Sequence, residues 1–432
     1  MQKGVVIVSS LQAMSKQELT QRVTALREEY EGYKARGLSL DMSRGKPSAE
    51  QLDLTNGLLD CVNARTGFCT DAGFDTRNYG LLDGTPEAKA LFAELLDVPT
   101  DNVVVAGNSS LNLMFDYIAQ AVSTGLCGNT PWGQLSEVKF LCPVPGYDRH
   151  FAITEHFGIS MITVPMTENG PDMDMVEELV KDPAVKGMWC VPMYSNPQGI
   201  TYSDETVRRL ANMVPAAPDF RIMWDNAYCI HHLTDTPDTL LNIFDEVHAV
   251  GHDDMVVIFA STSKVSFPGA GVAVLAASKA NIADIKRRLT VQTIGHDKIN
   301  MLRHTRFFGN AEGVHQHMKL HAAVLRPKFD VVLSALENRL GDTGAARWHT
   351  PNGGYFVSVE LQNGCAKETV RLLKEAGVVI TPAGATYPYG QDPNDSVLRI
   401  APSYPPLSEL EIAMELFCIC AELVYAEKLL NA

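Results

Sequence analysis

Met255-Val256-Val257-Ile258-Phe259-Ala260-Ser261-Thr262-Ser263-Lys264 runs from an unbroken apolar segment straight into hydroxyls and a lysine. A short run without polar alternation reads as a strand buried on both faces, which is the condition of a strand inside a parallel sheet. The small-residue turn Pro268-Gly269-Ala270-Gly271 follows, and then a second apolar run, Val272 to Ala276. Working outward, the same rhythm recurs at Val103 to Ala106, Lys139 to Cys142, Met161 to Val164, Gly187 to Val191 and Arg221 to Trp224, with amphipathic stretches between. Strands alternating with helical spacing predict an α/β fold: a large domain built on a mostly parallel sheet with helices on both faces.

Beyond about residue 326 the pattern becomes helix, strand, helix, namely Pro327 to Leu340, Gly354 to Glu360 and Lys367 to Ala376, with a last helix from Ser408. This predicts a smaller α/β domain. Lys16 to Ala35 carries Leu19, Val23, Leu26 and Tyr30 on one helical stripe, and a helix that precedes the large domain must bury that stripe, here against the smaller one. The expected division is residues 1–57 as an N-terminal arm and part of the small domain, 58–325 as the large domain and 326–432 as the rest of the small domain. A chain of 432 residues exceeds the size at which one core stops growing, in keeping with that division.

A formal charge of -15 with no concentrated Lys/Arg face argues against a nucleic-acid surface and for a small soluble substrate. Nine cysteines form no CxxC pair and mostly sit in apolar runs, which suits a reducing cytoplasm. Gly4 to Leu11 is apolar but short, and reads as an arm rather than a signal peptide. No apolar stretch approaches the roughly 20 residues a membrane helix needs, so no membrane partner is expected.

The chemistry gathers at strand ends. Lys264, at the mouth of a buried strand, is placed to lose its proton and act as an amine nucleophile, and the flanking Ser261 and Ser263 hydroxyls suit a phosphate; a surface lysine is the bland alternative. Met223-Trp224-Asp225-Asn226-Ala227-Tyr228 ends another apolar strand, where open α/β sheets hold their ligands. Asp225 there needs a cationic partner or serves as a helix cap, and Tyr228 follows within reach of the same ligand. Tyr194-Ser195-Asn196-Pro197-Gln198-Gly199 is foremost a turn, yet it too follows an apolar run. Val103 to Ala106, then Gly107-Asn108-Ser109-Ser110 and a helical run, makes a strand, turn and helix whose N-terminal amides, with the Ser109 and Ser110 hydroxyls, form an anion site.

These elements, in this order, resemble fold-type I pyridoxal-phosphate enzymes, and among them the class I aminotransferases. Ser43-Arg44-Gly45-Lys46-Pro47, Asn78-Tyr79-Gly80 through Gly84, Pro145-Gly146-Tyr147-Asp148-Arg149, Ile299-Asn300 through Arg306 and Arg326-Pro327-Lys328-Phe329 are similar to the bacterial type Ic aspartate aminotransferases. The likeness runs from about residue 39 to 402. It implies pyridoxal 5'-phosphate as cofactor, with Lys264 holding it as a Schiff base and moving the substrate proton. Asp225 would keep the pyridine nitrogen protonated, Asn196 and Tyr228 would hold the ring oxygen, and Tyr147 would stack on the ring. Arg399, an otherwise costly guanidinium in the apolar run Val397 to Pro402, would take the substrate α-carboxylate, with Gly45 beside it. Tyr79 would reach the phosphate of a neighbouring subunit, implying a homodimer with shared sites. In one place the chain departs from the wider class: Phe267 to Val272 contains no basic residue where most members carry a phosphate-clamping arginine. Phosphate binding then leans on Ser109, Ser110, Ser261, Ser263 and backbone amides.

The resemblance implies amino transfer between an L-amino acid, aspartate first, and a 2-oxo acid such as 2-oxoglutarate. A dicarboxylate substrate needs a second cation. Arg44 and Lys46 are the first candidates, with Arg149, Arg303 and Arg306 as rivals and ordinary ion pairs as the alternative. His315, His317 and His321 contain an i,i+4 pair but no matching carboxylate, so a solvated helix face is expected rather than a metal site. Gly269-Ala270-Gly271 lacks the rest of a dinucleotide fingerprint. Other readings are a lyase or decarboxylase on the same cofactor, and a non-catalytic effector-sensing module. The latter requires a DNA-binding region, for which the stretch before Ser39 is too short.

Overall fold

The computed structural model describes residues 10–432. Of the expected arm, residues 4–9 lie outside the described residues, while Leu11 is buried and its amide donates to the Thr343 carbonyl at 3.0 Å. The strands are β1 (Leu40–Asp41), β2 (Val103–Ala106), β3 (Lys139–Val144), β4 (Ser160–Thr167), β5 (Gly170–Pro171), β6 (Val185–Cys190), β7 (Arg221–Asp225), β8 (Val256–Ser261), β9 (Ala273–Ala277), β10 (Ala346–Trp348), β11 (Val357–Leu361), β12 (Val378–Val379) and β13 (Val397–Ile400). An eight-stranded sheet has the order β2-β9-β8-β7-β6-β3-β4-β5. β8, β7, β6, β3 and β4 are mutually parallel, whereas β9 runs against both of its neighbours. Every residue of β2, β6, β7 and β9 is buried, as the unalternated apolar runs require. Each large apolar side chain there contributes roughly 1.5–3 kcal/mol through burial.

The smaller domain holds an antiparallel sheet, β10-β11-β13, and the parallel pair β1-β12. Its centre is the helix Leu407–Leu430, buried almost all round. The N-terminal helix Lys16–Lys34 starts at a capping box between Ser15 and Glu18, then buries Leu19, Leu26 and Tyr30. Arg22 holds it to the central helix with a two-pronged bond to the buried Glu422, at 2.6 and 2.7 Å. The expected docking helix is therefore present and lies on the smaller domain.

Two expectations change. The helix expected from Pro327 begins at Ala311 and runs 30 residues to Leu340 with Pro327 inside it. A proline ordinarily marks a helix start or break, but here Leu325, Phe329 and Val332 are all buried in one core, and that packing carries the helix through. Val314 and Met318, nearer its start, join a different cluster with Ile230 and Phe308. The second change concerns His317 and His321, which are 7% and 1% exposed rather than solvated. Their face of the helix meets polar groups of the Lys264 turn and of residues 51–55, so burial leaves them bonded. No helix among the described residues is long and apolar enough to cross a membrane, and all nine cysteines are free.

Candidate active site

The parallel strands β6, β7 and β8 end at the same edge of the sheet, so the segments that follow them converge. Asp225 closes β7 and is buried. Its Oδ2 lies 3.0 Å from Nε2 of His150, while Oδ1 is buried with no protein partner. His150 is itself buried, stacked on Trp189 at 4.3 Å between centroids and 7° between planes. The Trp189 indole donates to Thr154 at 2.8 Å, and that hydroxyl donates to the His150 carbonyl at 2.8 Å. Asp225 is thus fixed from behind and open in front, the state of a carboxylate that awaits a cation.

Lys264 follows β8 on the turn Thr262–Ser266, whose amides at Val265 and Ser266 return to the Thr262 carbonyl at 2.9 and 2.8 Å. Its Nζ stands 4.8 Å from the centre of the Tyr228 ring and 5.9 Å from that of Tyr355, and these two rings stack at 6.1 Å. Burial pulls the Lys264 amine below its ordinary value, with the Asp225 charge opposing. The same burial pushes the Tyr228 hydroxyl well up. A neutral amine is the nucleophilic form, so the walls around Lys264 favour its reactive state.

Tyr147 precedes the helix Asp148–His156, its ring 5.0 Å from His150. Burial, then the Asp225 charge, raises its hydroxyl to about 12. Two of the first three residues of this helix reach the site. Asp148 Oδ1 accepts from Arg399 Nη1 at 3.2 Å, His150 backs Asp225, and Arg149 between them is exposed and makes no side-chain bond among the described residues. Arg399 also donates from Nη1 to Asn196 Oδ1 at 3.1 Å and from Nε to Thr381 at 3.4 Å. Its guanidinium lies 4.6 Å from the centre of the Phe356 ring. Asn196 spends its amide oxygen on Arg399, which leaves its amide nitrogen to donate elsewhere. Gly45 lies against the same Phe356: a Cβ there would stand 2.4 Å from the ring, so only glycine lets the Ser43–Pro47 turn approach.

The serines gather separately. Ser109 caps the helix Ser110–Thr124 without spending its side chain on the cap. Ser261 donates to Ser263 at 3.0 Å, and Ser263 donates to the Asn108 carbonyl at 3.5 Å, which joins the two serine turns. Asn300 secures the far side, donating to the carbonyls of Ala270 and Gly271 at 2.7 and 2.8 Å. The uncommitted Ser109 side chain and the first amides of that helix therefore lie on a turn bonded to the Ser261–Ser263 turn, the kind of arrangement that suits an anion.

Other candidates fall elsewhere. Tyr79 is 76% exposed and does not approach these groups within the chain. Arg306 is committed to structure, donating to the carbonyls of Cys61, Thr66, Gly67 and Cys69. Lys46 sits 3.8 Å over the Tyr404 ring. Arg44 is exposed with no side-chain partner among the described residues. Of the residues that matter, His150 went unread in the sequence; its one signal was its place directly after Tyr147-Asp148-Arg149. Asp148 and Tyr355 were likewise unmarked.

Known proteins resemble this chain over nearly its whole length. The family model described as aspartate amino-transferase matches residues 14–432. An aspartate aminotransferase of Corynebacterium glutamicum is 46% identical over 407 residues, 94% of this chain and 94% of that one. A crystal structure of an aspartate transaminase from Corynebacterium glutamicum superposes with a TM-score of 0.94 at 45% identity, covering 97% of this chain and 99% of that one. At 20% identity and a TM-score of 0.72, the α-aminoadipate aminotransferase of Thermus thermophilus, solved with N-(5'-phosphopyridoxyl)-L-leucine, shares the fold over 95% of this chain and 98% of its own.

Proposed function

The chain belongs to the aspartate amino-transferase family and is an aminotransferase; from that premise we propose that it exchanges an amino group between L-aspartate and 2-oxoglutarate, using pyridoxal 5'-phosphate attached to Lys264. The observation that carries the reading is Asp225, whose buried Oδ1 has no partner while Oδ2 is held by His150. A protonated ring nitrogen supplies what that oxygen lacks. The remaining groups fit the rest of the cofactor: an amine biased toward neutrality for its aldehyde, an aromatic at Tyr147 for its ring, and the Ser109, Ser110, Ser261 and Ser263 cup for its phosphate.

When bound, the cofactor supplies an electron-withdrawing ring in conjugation with the substrate amino group. Asp225 keeps that ring protonated, and His150 and Trp189 keep Asp225 in place. Tyr228 and the Asn196 amide orient the ring oxygen. Arg399 takes the substrate α-carboxylate and so fixes which substrate bond faces Lys264. The Lys264 amine would take the proton from the substrate α-carbon and hold it for return.

For the side-chain carboxylate we assign Arg149 beside Arg44. Both are exposed and without a side-chain partner among the described residues, but Arg149 sits between the residue that touches Arg399 and the residue that touches Asp225. Homodimerisation belongs to the same reading. Tyr79 at 76%, Val291 at 90% and Ile294 at 63% exposure are large apolar residues open to solvent. Gly295, next to Ile294, lies against Gly80, next to Tyr79, since a Cβ on it would lie 2.5 Å from the Gly80 carbonyl. A second copy is the occupant that also places Tyr79 at a phosphate. Free cysteines throughout support a cytoplasmic setting. The change of core along the helix Ala311–Leu340 supports a domain boundary near residue 325.

The test is direct. Protein loaded with pyridoxal 5'-phosphate should absorb in the visible and form oxaloacetate and glutamate from L-aspartate and 2-oxoglutarate. Lys264→Ala should lose both properties, and a wild-type protein that neither absorbs nor exchanges would overturn the reading. Arg149→Ala and Arg44→Ala should each be compared on aspartate and alanine; the true side-chain cation raises KM for aspartate alone, by about tenfold.

A further inference from the structure

Two buried imidazoles grip the turn that carries Lys264, and no step described so far uses them. His304, from the helix Lys298–Phe308, has Nδ1 2.8 Å from the Asn300 carbonyl. A carbonyl only accepts, so Nδ1 carries the hydrogen and Nε2 presents a lone pair. That lone pair lies 2.7 Å from the Ser266 hydroxyl and 3.2 Å from the Thr262 hydroxyl, one on each side of Lys264. His317, from the helix Ala311–Leu340, brings Nε2 to 3.1 Å from the carbonyl of Val265, the residue directly after Lys264. Thr55 lies 3.2 Å from the same nitrogen, and His321 3.1 Å. Gln51 then continues the line, 3.2 Å from His321 Nδ1 and 2.8 Å from the hydroxyl of Tyr355, which walls the Lys264 amine.

We propose that His304 and His317 are positioning residues for Lys264, holding the Thr262–Ser266 turn from beneath so that the amine is presented in one place to its carbonyl partner. The inference rests on the reading that Lys264 carries the cofactor. A five-residue turn has few bonds of its own, only two of them backbone returns to Thr262, and a lysine has a long flexible stem. Fixing the turn at Thr262, Val265 and Ser266 removes the motion of its base, which is where positioning lowers the cost of reaction. His304 must be neutral to accept at Nε2, whereas His317 donates to a carbonyl; burial draws both below their ordinary value.

The experiment separates capture of the cofactor from affinity for its shape. Capture of pyridoxal 5'-phosphate by cofactor-free protein replaces the aldehyde C=O with C=N to Lys264 and releases one water. Pyridoxamine 5'-phosphate shares the ring and phosphate but has no aldehyde, so it binds without that bond. The variants His304→Phe and His317→Phe should capture pyridoxal 5'-phosphate about tenfold more slowly, read by stopped-flow absorbance, with affinity for pyridoxamine 5'-phosphate unchanged. His304→Gln, which keeps an acceptor, should recover most of the rate. Should the phenylalanine variants not fold, Ser266→Ala removes the same bond from the turn side, together with the Ser266 hydroxyl's bonds to Thr262, and should slow capture in the same direction. Capture at the wild-type rate, or a parallel loss of pyridoxamine 5'-phosphate affinity, would overturn the proposal. A wild-type protein that captures nothing would instead sink the attachment to Lys264.

Discussion

At the start of β7 the guanidinium of Arg221 is fully buried, and at its end the carboxylate of Asp225 is fully buried, yet the chain treats the two differently. Arg221 reaches the Tyr117 hydroxyl at 3.1 Å, Asn281 at 3.3 Å and the Phe220 carbonyl at 2.9 Å. The same edge of the sheet buries Lys186 against Asp219 at 2.7 Å, with the Trp132 indole on the other oxygen at 2.7 Å. Arg221, Lys186 and Asp219 are each answered from within the chain. At the opposite edge Asp225 Oδ1, Ser195 Oγ and Asn226 Oδ1 are buried and unanswered. Buried polar groups cost free energy unless paired, so an edge that leaves several unpaired is one shaped for something outside the chain. Burial of charge alone does not mark the site; the missing partner does.

Removing a carboxylate from each edge should break the comparison if it is wrong. Asp225→Ala should lower kcat/KM on the order of 10^4-fold, equivalent to roughly 5 kcal/mol, because the ring would lose the group that keeps it protonated. Cofactor-free Asp225→Ala should lose far less stability than the change at the other edge, since removal of the unsatisfied Oδ1 offsets the bond that His150 loses. Steady-state kinetics and urea unfolding of the cofactor-free protein read the two halves. Asp219→Ala should do the reverse. It strands Lys186 and the Trp132 indole without a partner and should cost about 4 kcal/mol of stability. Its kcat per folded molecule should stay near wild type. A stable Asp219→Ala, or an Asp225→Ala that unfolds first, would show that the edges do not differ as described.

The active edge was legible in the sequence because its groups follow apolar strands: Lys264 after β8, Asp225 at the end of β7, Asn196 after β6 and Ser109 after β2. A strand buried on both faces leaves little doubt about where it stops. The backing of those groups was not legible. His150 meets Asp225 across 75 positions and Asp148 meets Arg399 across 251, and neither sits at a strand end. Both lie in the first turn of a helix, where polar residues are ordinary. For His317 and His321 the spacing was visible and the burial was not. A helical repeat shows which residues share a face but not what that face meets, and Gln51, Thr55 and the Val265 carbonyl come from two distant segments. Pro327 misled for a related reason, since tertiary packing overrode a local stop signal.

The histidines sharpen the comparison at lower cost, through acid. Burial holds His304 and His321 at about 4 in the folded protein, against 6.5 for a free imidazole. Between those values the unfolded chain binds protons that the folded chain refuses, so stability must fall as pH falls from about 6.5 toward about 4. The full effect is about 3 kcal/mol for each imidazole, and most of it is incurred by about pH 4.5. Both residues lie behind the Lys264 turn, so the acid weakness belongs to the active edge and not to the Arg221 edge. Urea midpoints for wild type and His304→Gln, measured from about pH 7 to about pH 4.5, isolate one share of it. The variant should give a shallower acid slope, because glutamine cannot take up the proton. Equal slopes would mean that His304 is protonated in the folded state at mild acidity, and that the lone pair facing Ser266 is not what holds the turn.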